Sequence, residues 1–446
     1  MLVPVAACVG FGASAPPVML KANAPQVRPS ICRTGISLLR VPAPSRLVYD
    51  SGMAAKKFEI LVLNQISQAG LKRLPEKSYR VSKEVAHPDA ILVRSADMHS
   101  MLISDSVRAI GRAGAGTNNI PVKRMSERGV PVFNAPGANA NAVKELVLAG
   151  MLIAARNLAP ALGFVSSLSG DDKAMSEKVE AEKKQFAGTE LPGRTLGVIG
   201  LGKIGSLVAD AAIKLGMNVL GYDPEITVDA AWSLPSQVKK ANSIEEVLKA
   251  SHFVTLHVPL LPVTRHLIEA KKLELIHAGA ILLNFSREEV VDAKAVASAL
   301  KEKKLGRYVT DFPAAVLSGN PQVIALPHLG ASTREAEDNS AVMVVDQIRD
   351  YLEHGNIQNA VNFPDVVMGR EAPYRIGVAN ANVPNMVGQI SSAMAKAGLN
   401  IHNMINRSKG EMAYTLVDVD SPVSEGLIDE LVKIKGVLAV RYLPLA

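Results

Sequence analysis

"TLGVIGLGKIGSLVADAAIKLGMNVLGYD", residues 195 to 223, decides how this 446-residue chain folds. An apolar run leads into Gly200-x-Gly202-x-x-Gly205, a helical pattern follows, and a second apolar run ends on Asp223. Gly200 permits the tight turn after a strand, Gly202 lets the backbone approach a pyrophosphate, and Gly205 lets helix and sheet pack closely. Lys203 and Ile204 then open a helix whose free N–H groups and positive dipole end suit phosphate oxygens. Asp223 is spaced to accept hydrogen bonds from the adenosine ribose and to repel a 2′-phosphate, which favours NAD over NADP. No arginine follows it directly in "YDPEITVD" to reverse that preference.

Outward from this unit, apolar strand-like runs alternate with helical patterns from "KKFEILVLN" at residue 56 onward, which predicts parallel sheets covered by helices. The run "NAVKELVLAGMLIAARNL", residues 141 to 158, has the apolar spacing of one long buried helix between two α/β halves. A further helix is expected over "REAEDNSAVMVVDQIRDYLEHGN", stopped by Gly355-Asn356. The last 75 or so residues are patterned strand, helix, strand, strand, helix, strand, a ferredoxin-like module. The expected class is therefore α/β: two Rossmann-like, doubly wound parallel-sheet domains with a cleft, plus a C-terminal α+β ferredoxin-like domain.

The net charge of +7 invites a nucleic-acid reading. Residues 1 to 57 hold seven basic side chains against the single acid Asp50, so they account for six of those seven charges. The folded part lacks the basic footprint that nucleic acid requires. The N-terminal segment is rich in Ala, Ser, Pro and Arg and poor in acids, the composition of an organellar transit peptide for plastid or mitochondrion; a plain disordered tail, and a cytoplasmic protein, is the alternative. Both cysteines, Cys8 and Cys32, fall inside it, so no disulfide is expected in the mature protein. Elsewhere nothing approaches the roughly 18 apolar residues of a membrane span, and no His/Cys/Asp cluster has metal-ligand spacing.

In order along the chain stand "ILVRS", "IGRAGAGTNNI", "NAPGANANAVKELVL", "GVIGLGKIG", "TLHVPL", "NFSREEVVD" and "LPHLGAST". This series resembles the D-2-hydroxyacid dehydrogenases, and the tail from about residue 371 resembles an ACT domain. The resemblance implies a discontinuous substrate domain at 58–139 and 331–362, an NAD-binding domain at 140–330 inserted into it, and a regulatory ACT-like domain at 371–446. It also implies roles. Arg287 would hold the substrate carboxylate and C2 oxygen, and His328 would exchange a proton with that oxygen during hydride transfer. Arg94, Ser95 and Asn139 match positions that hold the phosphate end of a 3-phosphoglycerate substrate. Asp311 matches an acid near the nicotinamide carboxamide. His257 and Pro259 fall beside the cofactor, His257 as a packed strand-end residue rather than a catalyst. The implied assembly is a homo-oligomer, dimer or tetramer.

Two departures stand out. Glu288 follows the catalytic arginine where the family has glycine, and Ala315 stands where its glutamate partner of the histidine would be. A carboxylate beside a histidine stabilises the imidazolium, so its loss is expected to hinder proton donation more than proton acceptance. Either Arg287 and His328 suffice without it, or Glu288 or Glu289 serves as a substitute acid. In the ACT-like part Asn380, Asn382 and Asn400 match positions that bind an amino-acid effector such as L-serine, although histidine is common where Asn380 stands. The expected reaction is NAD-dependent oxidation of 3-phospho-D-glycerate, the first step of phosphorylated serine biosynthesis. A hydroxypyruvate or glyoxylate reductase, and a nicotinamide-sensing binding protein without catalysis, are the competing readings.

Overall fold

A computed structural model describes residues 57–445. The expected presequence, apart from its last residue, lies outside the described residues, and both cysteines with it. The first sheet comprises β1 (Phe58–Val62), β2 (Tyr79–Ser82), β3 (Ala90–Val93), β4 (Ala109–Arg112) and β5 (Val132–Phe133), with α1 (Gln68–Leu71) and α2 (Val122–Glu127) in the connections. Its strands are parallel in the order β2-β1-β3-β4-β5. All four side chains of "AILV" in β3 are buried, as expected of a strand covered on both faces.

Three helices, α3 (Ala140–Ala155), α4 (Leu158–Ser166) and α5 (Asp172–Glu182), lead to the second sheet. One helix was expected over 141–158; the chain instead turns by 70° between α3 and α4. The break falls at Asn157, whose backbone is left-handed at φ 55°, a conformation that asparagine tolerates better than most residues. The second sheet contains β6 (Thr195–Ile199), β7 (Asn218–Tyr222), β8 (Val238–Lys240), β9 (Phe253–Leu256), β10 (Ala280–Asn284), β11 (Leu305–Thr310) and β12 (Val323–Ala325). Between these strands run α6 (Lys203–Lys214), α7 (Val228–Trp232), α8 (Ile244–Ala250), α9 (Ala270–Leu273) and α10 (Ala293–Lys301). The seven strands are parallel in the order β12-β11-β10-β9-β6-β7-β8. Strand order reverses between β6 and β9 here, and between β1 and β3 in the first sheet. In open parallel sheets ligands bind beyond the carboxyl ends of the strands at such points.

After β12, α11 (Arg334–His354) returns the chain to the first sheet. Val344 and Ile348 lie so close to Gly111 of β4 that any side chain there would strike Val344 at 2.7 Å. The module that follows is β13 (Tyr374–Ala381), α12 (Met386–Lys396), β14 (Ile401–Lys409), β15 (Met412–Val419), α13 (Glu425–Lys433) and β16 (Val437–Pro444), with an antiparallel sheet ordered β14-β15-β13-β16. One face packs on α12 and α13 through Ile376, Val378, Ile390, Leu427 and Leu431. The other face joins the first sheet's core, where Tyr414, Leu416 and Ala439 meet Phe133, Ile348 and Leu352.

A helix leaves its last carbonyls without partners inside the helix, and for α11 the C-terminal module supplies them. Arg441 donates to the carbonyls of Tyr351 and Leu352 at 2.7 and 2.9 Å, Arg375 to that of His354 at 3.0 Å, and the Tyr414 hydroxyl to that of Gly355 at 2.8 Å. Arg375 and Asp418 are both fully buried and paired at 2.6 and 2.9 Å, and the guanidinium also donates to the carbonyls of Met368 and Gly369. Removing one member of such a pair strands the other charge in a dry interior. Asp418→Ala is therefore expected to cost about 3 to 5 kcal/mol in urea unfolding, because it leaves the Arg375 guanidinium buried without its counter-charge; an unchanged stability would show that the pair does not bear on the fold.

Candidate active site

The turn between β6 and α6 is built as its glycines require. Gly200 has φ 92°, and a side chain there would strike the carbonyl oxygen of His257 at 2.6 Å, across the switch point. At Gly205 a side chain would be driven into the Gly200 carbonyl oxygen. At Gly202, the N-cap of α6, it would meet nothing within 4 Å, so that glycine leaves open space in front of the helix N-terminus. An arrangement crowded at two glycines and open at the third fits a pyrophosphate cradle. The Asp223 carboxylate at the end of β7 accepts from the amides of Leu201 at 2.8 Å and Glu225 at 3.0 Å. It thereby ties the glycine turn to the next strand and keeps further lone pairs for ribose hydroxyls.

Lys203 is exposed and its aliphatic stem runs over Gly137; Ile204 is half-buried. After β9, the His257 amide bonds the Ile199 carbonyl at 2.8 Å, and its Nε2 lies 3.0 Å from the Thr255 hydroxyl. Burial pushes this imidazole down to about 3, and its shielded Nδ1 has no partner among the described residues. A neutral ring at pH 7 suits a wall of the nucleotide site. Pro259 is exposed, and its carbonyl accepts from the Thr264 hydroxyl.

Three guanidiniums follow or end strands of the two sheets, and their charges act on one another. Arg94 follows β3, Arg112 ends β4 and Arg287 follows β10. Arg287 reaches toward the loop after β4, its Nη2 3.9 Å from where a side chain at Gly116 would begin. Burial, then the charges of Arg94 and Arg287, hold Arg112 below the usual arginine range. Asn119 spans the cluster, accepting from Arg112 Nε at 3.2 Å and donating to the Ala96 carbonyl at 2.7 Å. The turn bearing Arg287 is fixed by buried Asn284, which donates to the Arg287 carbonyl at 2.9 Å and accepts from the Ser286 hydroxyl at 2.9 Å. A group of positive charges that feel one another favours an anionic ligand. Arg112 was not among the expected site residues. Ser95 beside Arg94 is exposed, and Asn139 starts α3 without capping it.

His328 is exposed, with φ 56°, a left-handed backbone costing on the order of 1 kcal/mol or more for a residue other than glycine. Asp311, 1% exposed, holds it there. Its carboxylate oxygens accept from the amides of Leu329 at 2.7 Å and Gly330 at 2.8 Å, and its carbonyl accepts from the His328 amide at 3.1 Å. The edge of Phe312 meets the His328 ring with centroids 5.0 Å apart. The expected substitute acid is corrected by the geometry. Glu289 pairs with Arg265 at 3.7 Å, and among the described residues neither it nor Glu288 forms an ion pair with His328. The histidine–carboxylate pairs among the described residues belong to His354 and His402, not His328.

The model of the D-isomer specific 2-hydroxyacid dehydrogenase NAD binding domain matches residues 158–330. A D-3-phosphoglycerate dehydrogenase of Haemophilus influenzae is 33% identical over 347 residues, which are 75% of this chain and 81% of that protein. The chain belongs to the D-isomer specific 2-hydroxyacid dehydrogenases. A D-3-phosphoglycerate dehydrogenase of Methanocaldococcus jannaschii is 35% identical over 76% of this chain, which spans 63% of that protein's length, less than two thirds of it. The crystal structure of a cofactor (NAD+)-bound 3-phosphoglycerate dehydrogenase from Entamoeba histolytica superposes with a TM-score of 0.54 at 25% identity, covering 69% of this chain and 99% of that one.

As in any 2-hydroxyacid dehydrogenase, the cradle here has to bind a dinucleotide, and its two kinds of glycine should fail differently. Gly202→Ala is expected to keep the melting temperature while weakening NADH binding about tenfold or more, because its methyl group enters the space left for phosphate. Gly205→Ala is expected to lower both. Fluorescence titration of NADH and thermal melting check this pair; undiminished binding by Gly202→Ala would place the phosphates elsewhere.

Proposed function

We propose that this chain oxidises 3-phospho-D-glycerate to 3-phosphohydroxypyruvate with NAD, the step that opens phosphorylated serine biosynthesis. The observation that carries this reading is that Arg112 feels the charges of both Arg94 and Arg287, which follow strands of two different sheets. One guanidinium suffices for a carboxylate, as a planar fork matches it bidentately. Two more suit a second, dianionic group at the far end of the substrate. Glycolate has no such group, and neither glyoxylate nor hydroxypyruvate would use it, which speaks against the reductase reading.

In this reading Arg287 binds the carboxylate and draws charge toward the C2 oxygen, while Arg94 and Arg112 take the phosphate, with Ser95 beside Arg94 and Asn139 at the start of α3 as further donors. His328 accepts the hydroxyl proton as the hydride leaves C2. NAD, held at Gly200, Gly202, Gly205 and Asp223, supplies the hydride acceptor. Asp311 acts through the backbone of the His328 loop, and its bonds to two amides support a positioning role more directly than a nicotinamide contact.

Three finer features belong to the same proposal. The βαββαβ module acts as an ACT domain that senses L-serine. A cavity of about 160 Å³ lined by Asn380, Asn382, Asn385 and Asn406 supports this, and fully buried Asn380 carries an Oδ1 without a partner among the described residues. Asn400 lies away from it, near Asp420 at 3.4 Å, beyond the other end of β14. The face of α4, with Leu162 67% and Val165 54% exposed, supports a homo-oligomer in which a second copy covers it. The basic, acid-poor N-terminus supports an organellar destination.

NADH formation with 3-phospho-D-glycerate, D-glycerate and glycolate, with a carbonyl trap for the product, tests the activity. The phosphorylated substrate is expected to lead in kcat/KM by about a hundredfold, the worth of two hydrogen bonds to charged groups. Arg112→Gln should erase most of that lead by raising its KM. Equal turnover of all three would sink the reading, and no turnover with intact NADH binding would favour a nicotinamide-binding protein.

A further inference from the structure

Arg94 does not stand free at the edge of the arginine cluster. Its Nη2 lies 2.7 Å from Oε1 of Glu337, in the first turn of α11. The hydrogen bond and charge of Arg94 hold the Glu337 carboxyl below its usual range. The partners come from different elements: Arg94 from the end of β3 in the substrate-side sheet, Glu337 from the helix that starts at Arg334, shortly after His328. The neighbouring Asp338 is engaged by the Ser67 hydroxyl, so Glu337 is the acid that meets Arg94. The cluster therefore carries three guanidiniums and one carboxylate at the end of the cleft assigned to the phosphate.

We infer that Glu337 is a specificity-determining residue, which holds Arg94 while the cleft is empty and competes with the distal anion of the substrate for it. This rests on the proposed function for the identity of that anion. A guanidinium has five N–H donors and can serve Glu337 and a phosphate together, but the carboxylate then sits close to a dianion and repels it. Glu337 thus sets the affinity for a phosphorylated acid lower than the three arginines alone would give, and hastens release of the phosphorylated product. A substrate with an uncharged far end feels little of this repulsion.

Glu337→Gln keeps an acceptor oxygen for Arg94 and removes the charge. The Glu337 side chain is 43% exposed, so the substitution leaves no buried hole. KM is to be measured for 3-phospho-D-glycerate and D-glycerate, together with the rise in melting temperature on adding inorganic phosphate. Removing one charge a few ångströms from the phosphate is expected to lower the KM for the phosphorylated substrate by about threefold or more, to leave that for glycerate nearly unchanged, and to enlarge the stabilisation by phosphate. An unchanged KM ratio with unchanged stabilisation by phosphate would overturn the inference, as would a weaker response to phosphate. Should wild type turn over neither substrate while phosphate stabilises Glu337→Gln more than wild type, the proposed reaction falls and the role of Glu337 stands. Glu337→Ala, which loses the hydrogen bond as well, separates the two parts: a phosphate response below that of Glu337→Gln shows that orientation of Arg94 also counts, and one above wild type still upholds the charge effect.

Discussion

Both oxygens of one buried carboxylate, Asp311, are taken by the amides of Leu329 and Gly330, and the site depends on that arrangement. His328 occupies a backbone conformation that a chain would leave if it were free to do so. Two charge-assisted hydrogen bonds from the residues that follow it, with a third from its own amide to the Asp311 carbonyl, keep it there. The acid associated with His328 is thus bound to its loop rather than to its ring. The loop at Ala315 therefore keeps its geometry without a carboxylate on the imidazole, and a ring with no carboxylate partner among the described residues suits accepting a proton from an alcohol.

The second organising part is α11, about 30 Å of helix at 1.5 Å per residue. Its first turn carries Glu337 to Arg94, its middle packs on β4, and its final carbonyls are satisfied by Arg375, Arg441 and Tyr414 of the C-terminal module. One element therefore joins Arg94, β4 and the βαββαβ module.

Much of this was legible in the sequence, for identifiable reasons. Three glycines at fixed spacing, a strand before them and Asp223 after them leave little freedom in the nucleotide turn, and Gly355 marks the end of α11 by its left-handed backbone. The 70° break at Asn157 was not legible, because the apolar pattern continues through it. Arg112 was hidden in "IGRAGAG", where a charge among glycines reads as a turn; its importance emerges when the sheet order sets the end of β4 beside that of β3. Asn400 precedes β14 and lies near Asp420 at 3.4 Å, while Asn406, further along the strand, lines the cavity with Asn380 and Asn382. Glu337 and Asp311 act on partners fixed by tertiary packing and by backbone amides, neither of which a side-chain pattern encodes.

The most direct measurement is a crystal structure of the protein with NAD and 3-phospho-D-glycerate bound. The expected result has the phosphate between Arg94 and Arg112, the carboxylate on Arg287, and the C2 oxygen about 3 Å from the His328 ring, with Asp311 still bonded to the amides of Leu329 and Gly330. A complex in which the C2 oxygen meets another proton acceptor, or in which the phosphate lies away from the arginine cluster, would contradict it.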